Sequence, residues 1–128
     1  MPLNARNGGL RIVVVDDNYD ANAALSRLLK ASGFEVVGRA YDGLSGLTVV
    51  KAERPDVAIL DLAMPALDGF GLAKRIREEV EVQPRLVALT SFGPELESDA
   101  ETAGFDSYFC KPANWTNLKQ VLESYLPQ

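Results

Sequence analysis

The chain has 128 residues, of which 13 are basic and 18 acidic, and its formal net charge is −5; it contains no histidine and one cysteine. The length suits one compact domain. The missing histidine excludes histidine-dependent catalytic triads, and together with the single cysteine it excludes Cys/His metal sites and intrachain disulfides. Because phosphate binding needs a basic face, the charge disfavours nucleic acid as a direct partner.

Neither the N-terminus nor any apolar run is typical of a membrane protein. No apolar run approaches the length of a membrane span, and residues 1–10 do not resemble a signal peptide. We therefore expect no membrane partner, and we predict a polar N-terminal tail at residues 1–10 followed by one domain at residues 11–128. A single cysteine suits a reducing compartment, so we expect the protein in the cytoplasm.

The first half of the chain alternates between strand and helix patterns. Residues 11–15 (RIVVV) are an apolar run typical of a strand buried on both faces. Residues 20–33 are predicted as a helix, residues 34–40 as a second strand and residues 42–55 as a second helix. The apolar face predicted for the first helix carries Ala24, Leu25, Leu28 and Leu29.

The second half repeats this alternation three more times. The predicted strands cover residues 56–61, 85–90 and 106–110, and the predicted helices cover residues 68–80, 94–104 and 114–126. Asp68 is the predicted N-cap of the first of these helices, and the helix over 94–104 is polar and weak. Strands that alternate with helices predict an α/β fold, in which a doubly wound parallel sheet of five strands has helices on both faces.

Polar side chains end or follow four of the predicted strands. Asp16 and Asp17 come after the first strand, Asp61 and Thr90 stand at the ends of the third and fourth, and Lys111 comes after the fifth. In doubly wound sheets, ligands bind beyond the carboxyl ends of the strands. We therefore expect these five side chains to converge at one edge of the sheet.

Three carboxylates at one edge need positive charge nearby. Two of them about 4 Å apart repel by roughly 4 kcal/mol at an effective dielectric constant near 20. Lys111 can offset part of this repulsion, and a hard divalent cation would offset more. Oxygen ligands without histidine or cysteine indicate Mg²⁺, which leaves room for phosphate oxygens. A phosphoryl group is therefore expected here, although no glycine-rich phosphate loop follows the first strand.

The chain resembles the receiver domain of bacterial two-component response regulators, including the chemotaxis type, over residues 11 to 126. The residues that carry the resemblance are the pair Asp16–Asp17, Asp61 in DLAMPALDG, Thr90, and the pair Lys111–Pro112. It implies a flavodoxin-like (βα)5 fold with strand order 2-1-3-4-5.

The resemblance also implies a function for the acidic cluster. Asp61 is the expected phosphorylation site, and its phosphoryl group would come from a histidine kinase or a histidine phosphotransfer protein. Asp17 and Asp61 would ligate Mg²⁺ directly, Asp16 would act through a metal-bound water, and the backbone carbonyl of Ala63 would be a further ligand. Lys111 would bind a phosphate oxygen.

Thr90 and Tyr108 are the switch residues that the resemblance implies. Thr90 would hydrogen-bond the phosphate, and Tyr108 would turn inward to fill the space behind it. The surface of the fourth helix, fifth strand and fifth helix would then change shape for a downstream effector protein. Pro112 would follow a cis peptide bond. On this interpretation the chain is not an enzyme, except for its own phosphorylation and dephosphorylation.

Three other functions fit part of the same pattern. An aspartate-nucleophile phosphatase also uses Asp and Mg²⁺, but its D-x-D motif follows the first strand, where this chain has Asp16–Asp17. A flavodoxin-like flavin binder needs a Ser/Thr-rich loop at that place, whereas the acids would repel a flavin phosphate. A degenerate receiver that acts only as a docking module ranks low, because every acceptor residue is present.

Overall fold

The structure, a computed structural model, describes residues 9–126 as a parallel sheet with helices on both faces. The strands are Arg11–Val15 (β1), Glu35–Ala40 (β2), Val57–Leu60 (β3), Arg85–Thr90 (β4) and Ser107–Cys110 (β5). The helices are Tyr19–Ala31 (α1), Gly43–Glu53 (α2), Gly69–Glu79 (α3), Glu97–Ala103 (α4) and Trp115–Ser124 (α5). A 3-10 turn, Pro94–Leu96, precedes α4.

The strand order is β2-β1-β3-β4-β5, and each neighbouring pair is parallel. This confirms the predicted doubly wound sheet and its order. The winding direction reverses between β1 and β3, because the chain first moves outward to β2 and then returns past β1. The carboxyl ends of β1 and β3 therefore border the crevice in which such folds bind ligands.

Two apolar layers, one on each face of the sheet, form the core. Successive residues of a strand point to opposite faces, so Val13 and Val15 lie in one layer and Ile12 and Val14 in the other. The first layer includes residues of α2, α3 and α4, and the second includes residues of α1 and α5. β1 is buried on both sides, which explains its uninterrupted apolar sequence.

The buried face of α1 differs from the one that the sequence predicted. Leu29 is buried as expected, but Ala24 and Leu28 are exposed, the latter at 41%. The fully buried polar residues of this helix are Asn22 and Ser26. Helix α1 is thus rotated so that part of its apolar stripe faces outward beside α5.

Two further predictions concern the N-terminus and α4. Of the tail predicted at residues 1–10, residues 1–8 lie outside the described residues. Its last residue, Leu10, is 1% exposed and packs in the core. Helix α4 has seven residues, and Ala100 is the buried one, in line with its weak polar pattern. Within residues 9–126 no helix combines the length and the apolar character that crossing a membrane requires.

Candidate functional site

Three aspartates meet where β1 and β3 end. Val15 lies opposite Leu60 in the sheet, so the residues that follow them, Asp16 and Asp61, come side by side. One carboxylate oxygen from each of Asp16, Asp17 and Asp61 lies within 4.8 Å of the others. Asp16 and Asp61 are buried, at 6% and 7% exposure, and Asp17 is exposed. The structure therefore brings together the three acids that the sequence placed at this edge.

The pKa of Asp61 is strongly raised. Burial raises it from 3.8 to about 6, and the nearby carboxylate of Asp16 adds to the rise, while the ammonium of Lys111 opposes it. The backbone N–H of Ala63 donates a hydrogen bond of 3.3 Å to Oδ1 of Asp61, which also lowers the pKa. The ionised form of Asp61 is therefore costly, and added positive charge would stabilise it.

Lys111 reaches the cluster from the opposite end of the sheet. It follows the edge strand β5, and its Nζ lies 2.9 Å from Oδ2 of Asp16, at the end of β1. Its backbone N–H donates to the carbonyl of Thr90 at 2.6 Å. The peptide bond between Lys111 and Pro112 is cis, the geometry that the resemblance implied. The ammonium of Lys111 thus forms an ion pair with Asp16.

The two predicted switch residues bind the loop after β4. Thr90 is fully buried, and its Oγ1 accepts a hydrogen bond of 3.1 Å from the backbone N–H of Phe92. Tyr108 donates from its hydroxyl to the carbonyl of Gly93 at 2.7 Å, and burial raises its pKa. The structure thus joins both hydroxyls to this loop, and their roles in switching stay predictions.

The loop after β3 passes close to Asp61. Asp68 caps α3, as predicted, by accepting a hydrogen bond of 2.8 Å from the N–H of Gly71. Gly69 donates to the carbonyl of Leu62 at 3.0 Å, and a Cβ at Gly69 would overlap the carbonyl oxygen of Asp61. Ala63 contacts Asp61 through its N–H, so the metal-ligand role of its carbonyl stays a prediction.

The donor set fits magnesium. The three side chains offer oxygen only, and hard cations such as Mg²⁺ prefer oxygen to nitrogen or sulfur. The cluster holds three carboxyl groups against one ammonium, so a divalent cation would relieve the remaining repulsion. The residues present are therefore suited to Mg²⁺.

Two residues that the sequence analysis did not single out, Asn22 and Arg39, form a chain of hydrogen bonds to the backbone of Asp16. Asn22 donates from Nδ2 to the carbonyl oxygens of Asp16 and Ala40, at 3.2 and 3.0 Å. Arg39 donates from Nε to Oδ1 of Asn22 at 2.9 Å. The available signal was one amide side chain in an alanine-rich helical segment, which did not indicate whether that amide faced the sheet.

Comparison with known proteins adds a family match. A family model for the response regulator receiver domain matches residues 12–123. Sporulation initiation phosphotransferase F of Bacillus subtilis (strain 168) is 28% identical over 118 residues, which are 91% of this chain and 94% of that protein. This similarity therefore extends over almost the whole of both chains.

Two further similarities differ in how much of the other protein they cover. A protein-glutamate methylesterase/protein-glutamine glutaminase of Trichodesmium erythraeum (strain IMS101) is 35% identical over 116 residues, which are 88% of this chain but 33% of that protein. The signal receiver domain of the Mycobacterium tuberculosis response regulator NarL has a TM-score of 0.83 and 34% identity, over 91% of this chain and 95% of that domain. The chain thus spans about a third of that methylesterase.

Proposed function

The chain belongs to the response regulator receiver family, and from that premise we propose that Asp61 accepts a phosphoryl group from a histidine of a partner protein. The observation that carries this proposal is the position of Asp61 beside Asp16 and Asp17 at the carboxyl edge of the sheet. Burial makes its carboxylate costly to ionise. A carboxylate in such a position can act as a nucleophile and form an acyl phosphate.

The transfer exchanges one bond to phosphorus for another. An oxygen of Asp61 attacks the phosphorus atom, the phosphorus–nitrogen bond breaks, and its electron pair returns to the imidazole nitrogen, which takes up a proton. Lys111 would bind a phosphoryl oxygen as a point charge. Asp17 and Asp61, with Asp16 through water, would hold Mg²⁺, which supplies positive charge for the phosphoryl oxygens.

The same transfer would drive a conformational switch. A phosphate adds about two negative charges and three strong acceptors. Thr90 would turn away from the N–H of Phe92 and donate its hydroxyl to a phosphate oxygen, and Tyr108 would leave the carbonyl of Gly93. Helix α4 buries little of its surface, so the face formed by α4, β5 and α5 can rearrange at low cost for an effector protein.

An apolar groove beside the cluster supports docking of the phosphodonor. Half-buried Leu25 and exposed Leu28 of α1 line this groove together with Pro112 and Trp115. Lys111 lines the same groove and also contacts Asp16. A histidine kinase or histidine phosphotransfer protein seated here would bring its histidine towards Asp61. As part of the same proposal, we place this exchange in the cytoplasm, which the single cysteine suits.

Labelling with a small phosphodonor tests the acceptor. Incubation with acetyl phosphate and Mg²⁺ should add the mass of one phosphoryl group, and hydroxylamine should remove it because it cleaves acyl phosphates. Asp61→Asn should abolish the label, whereas Asp99→Asn, on the surface of α4, should retain it. A label that persists in Asp61→Asn would place the acceptor elsewhere, and a parent protein without label would favour a docking role.

We also propose that the chain turns over only its own acyl phosphate. The methylesterase to which it is similar is about three times as long, so that protein's esterase activity is not carried over to this chain. Repeated hydrolysis of p-nitrophenyl phosphate, beyond one equivalent per chain and dependent on Asp61, would overturn this and favour a phosphatase.

A further inference from the structure

Asn22 is a fully buried amide whose hydrogen bonds fix its orientation. It lies on the face of α1 that packs against the sheet, with 0% exposure. Its Nδ2 atom donates to two carbonyl oxygens, those of Asp16 and Ala40. Its Oδ1 atom accepts from Arg39. A flipped amide would set its oxygen against two carbonyls and its NH₂ against a guanidinium donor, so a single orientation is stable.

The carbonyl that Asn22 binds belongs to the peptide bond between Asp16 and Asp17. A second bond holds the other side of Asp16, because its N–H donates to the carbonyl of Ala40 at 3.1 Å. Ala40 is thus bonded both to the backbone of Asp16 and to the side chain of Asn22. The Asp16–Asp17 peptide joins the two Cα atoms that carry the carboxylates, so this bond from α1 limits how far the two side chains can turn away from each other.

Arg39 holds the amide from the other side. Its Nε–H donates to Oδ1 of Asn22 at 2.9 Å, and its guanidinium lies 5.9 Å from the centre of the Tyr41 ring. Tyr41 in turn stacks on Tyr19, with ring centroids 4.2 Å apart. These contacts restrict the guanidinium, and they connect the end of β2 to the start of α1.

We propose that Asn22 and Arg39 are positioning residues for the acid cluster, and that they hold the Asp16–Asp17 peptide in the orientation that binds Mg²⁺. This inference rests on the proposed magnesium site. Adjacent carboxylates repel each other, so a free peptide would turn them apart. A peptide that is already fixed spares the ion the cost of ordering its ligands.

Arg39→Met gives the sharpest test, because two physical effects predict opposite results. Loss of a positive charge near a cation site should, on Coulombic grounds alone, tighten Mg²⁺ binding. Loss of the bond to Asn22 should instead weaken it. We expect the Mg²⁺ dissociation constant, measured by calorimetry at low salt, to rise in Arg39→Met. Arg27→Met, which removes a charge from the exposed face of α1, should leave it unchanged or lower it.

Asn22→Ala should show the larger effect, a rise of about 10-fold in the Mg²⁺ dissociation constant. The double variant, which combines Asn22→Ala with Arg39→Met, should bind Mg²⁺ as tightly as Asn22→Ala alone, because Arg39 acts through Asn22. A structural role for Asn22 in α1 would not produce this pattern. Ser26→Ala and Leu29→Val alter buried positions of the same helix, and both should change thermal stability without changing Mg²⁺ affinity.

A measurement without metal separates this inference from the proposed site. Exchange of the Asp16 amide with solvent should be faster in Asn22→Ala than in the parent, since the carbonyl of Ala40 loses its second bond to this region. If the parent binds Mg²⁺ and both variants bind it equally well, the positioning role is wrong and the metal site stands. If the parent binds no Mg²⁺, the metal site is wrong and the inference falls with it.

Discussion

The ammonium of Lys111 lies 2.9 Å from Oδ2 of Asp16, which joins the end of β5 to the end of β1. Asp16 is almost fully buried, and the Lys111 side chain is 28% exposed. Lys111→Met would leave a buried carboxylate without its cation, and we expect a loss of about 2 kcal/mol in the free energy of unfolding. Urea unfolding without metal measures this loss.

The response of Lys111→Met to magnesium follows from the same pair. Mg²⁺ should raise the melting temperature of the parent protein, and it should raise that of Lys111→Met by more, since the ion then relieves a larger repulsion. Lys51→Met is the matched control, because Lys51 forms a 2.7 Å ion pair with Glu79 on the surface. It should cost less than Lys111→Met and leave the Mg²⁺ response unchanged. Equal losses for the two lysines would contradict the importance of the Asp16 pair.

The raised pKa of Asp61 predicts a pH-dependent stability. The folded protein holds this proton with a pKa of about 6, against 3.8 as its ordinary value. The folded state holds the Asp61 proton more tightly than the unfolded state, and this binding stabilises it. The stabilisation is complete below about pH 4 and is lost as pH rises through about 6. Well above pH 6, the ionisation of Asp61 therefore costs the folded state roughly 2 to 3 kcal/mol.

Asp61→Asn should remove this dependence, because asparagine does not ionise. Without metal, the variant should be more stable than the parent by about 2 to 3 kcal/mol at pH 8. The difference should disappear near pH 4, and Mg²⁺ should reduce it at pH 8. Urea unfolding of both proteins across this range gives the answer, and a difference that is independent of pH would show that Asp61 titrates normally.

The sequence predicted the sheet and the acid cluster well, for a simple reason. The bounds of β1 and β4 match the predicted runs residue for residue, because in each an apolar run begins after an arginine and ends at a polar residue, Asp16 or Thr90. In a parallel sheet the residues that follow β1 and β3, Asp16 and Asp61, lie at the same edge. That β1 and β3 are neighbours, so that the two acids meet, came from the family resemblance and not from the order of residues alone.

The buried face of α1 could not be predicted in this way. The apolar pattern favoured Ala24 and Leu28, but the structure buries Asn22 and leaves Leu28 exposed. Burial of an amide is stable only where acceptors are already in place, and here the carbonyls of Asp16 and Ala40 supply them. The side-chain pattern of a helix holds no information about such acceptors, which appear only when the sheet and helix are packed together.

Gly69→Ala should disturb the loop that packs against Asp61. The added Cβ would overlap the carbonyl oxygen of Asp61, which is backbone and cannot rotate away. We expect a loss of about 1 to 3 kcal/mol in the free energy of unfolding, as in other overpacked sites, together with weaker Mg²⁺ binding. Gly9→Ala is the control, because nothing lies within 4 Å of a Cβ at that position. Unchanged stability and Mg²⁺ affinity in Gly69→Ala would mean that the loop adapts freely.

Tyr108→Phe should loosen the loop after β4 while keeping the aromatic ring. The variant loses the hydrogen bond to the carbonyl of Gly93, and we expect a cost of about 1 kcal/mol in stability. Amide hydrogen exchange at residues 91–96 should be faster, because this bond ties the loop to β5.

Tyr125→Phe is the matched control for this loss of a hydroxyl. It removes a 2.6 Å hydrogen bond between Tyr125 and Ser107, at the start of β5 and away from the acid cluster. Its stability loss should be similar, but exchange at residues 91–96 should stay at the parent rate. If the switch operates as proposed, Tyr108→Phe should also bind its effector more readily before phosphorylation, since the hydrogen bond that holds the ring against the Gly93 carbonyl is gone. Equal exchange in both variants would assign the Tyr108 hydroxyl no part in holding the loop.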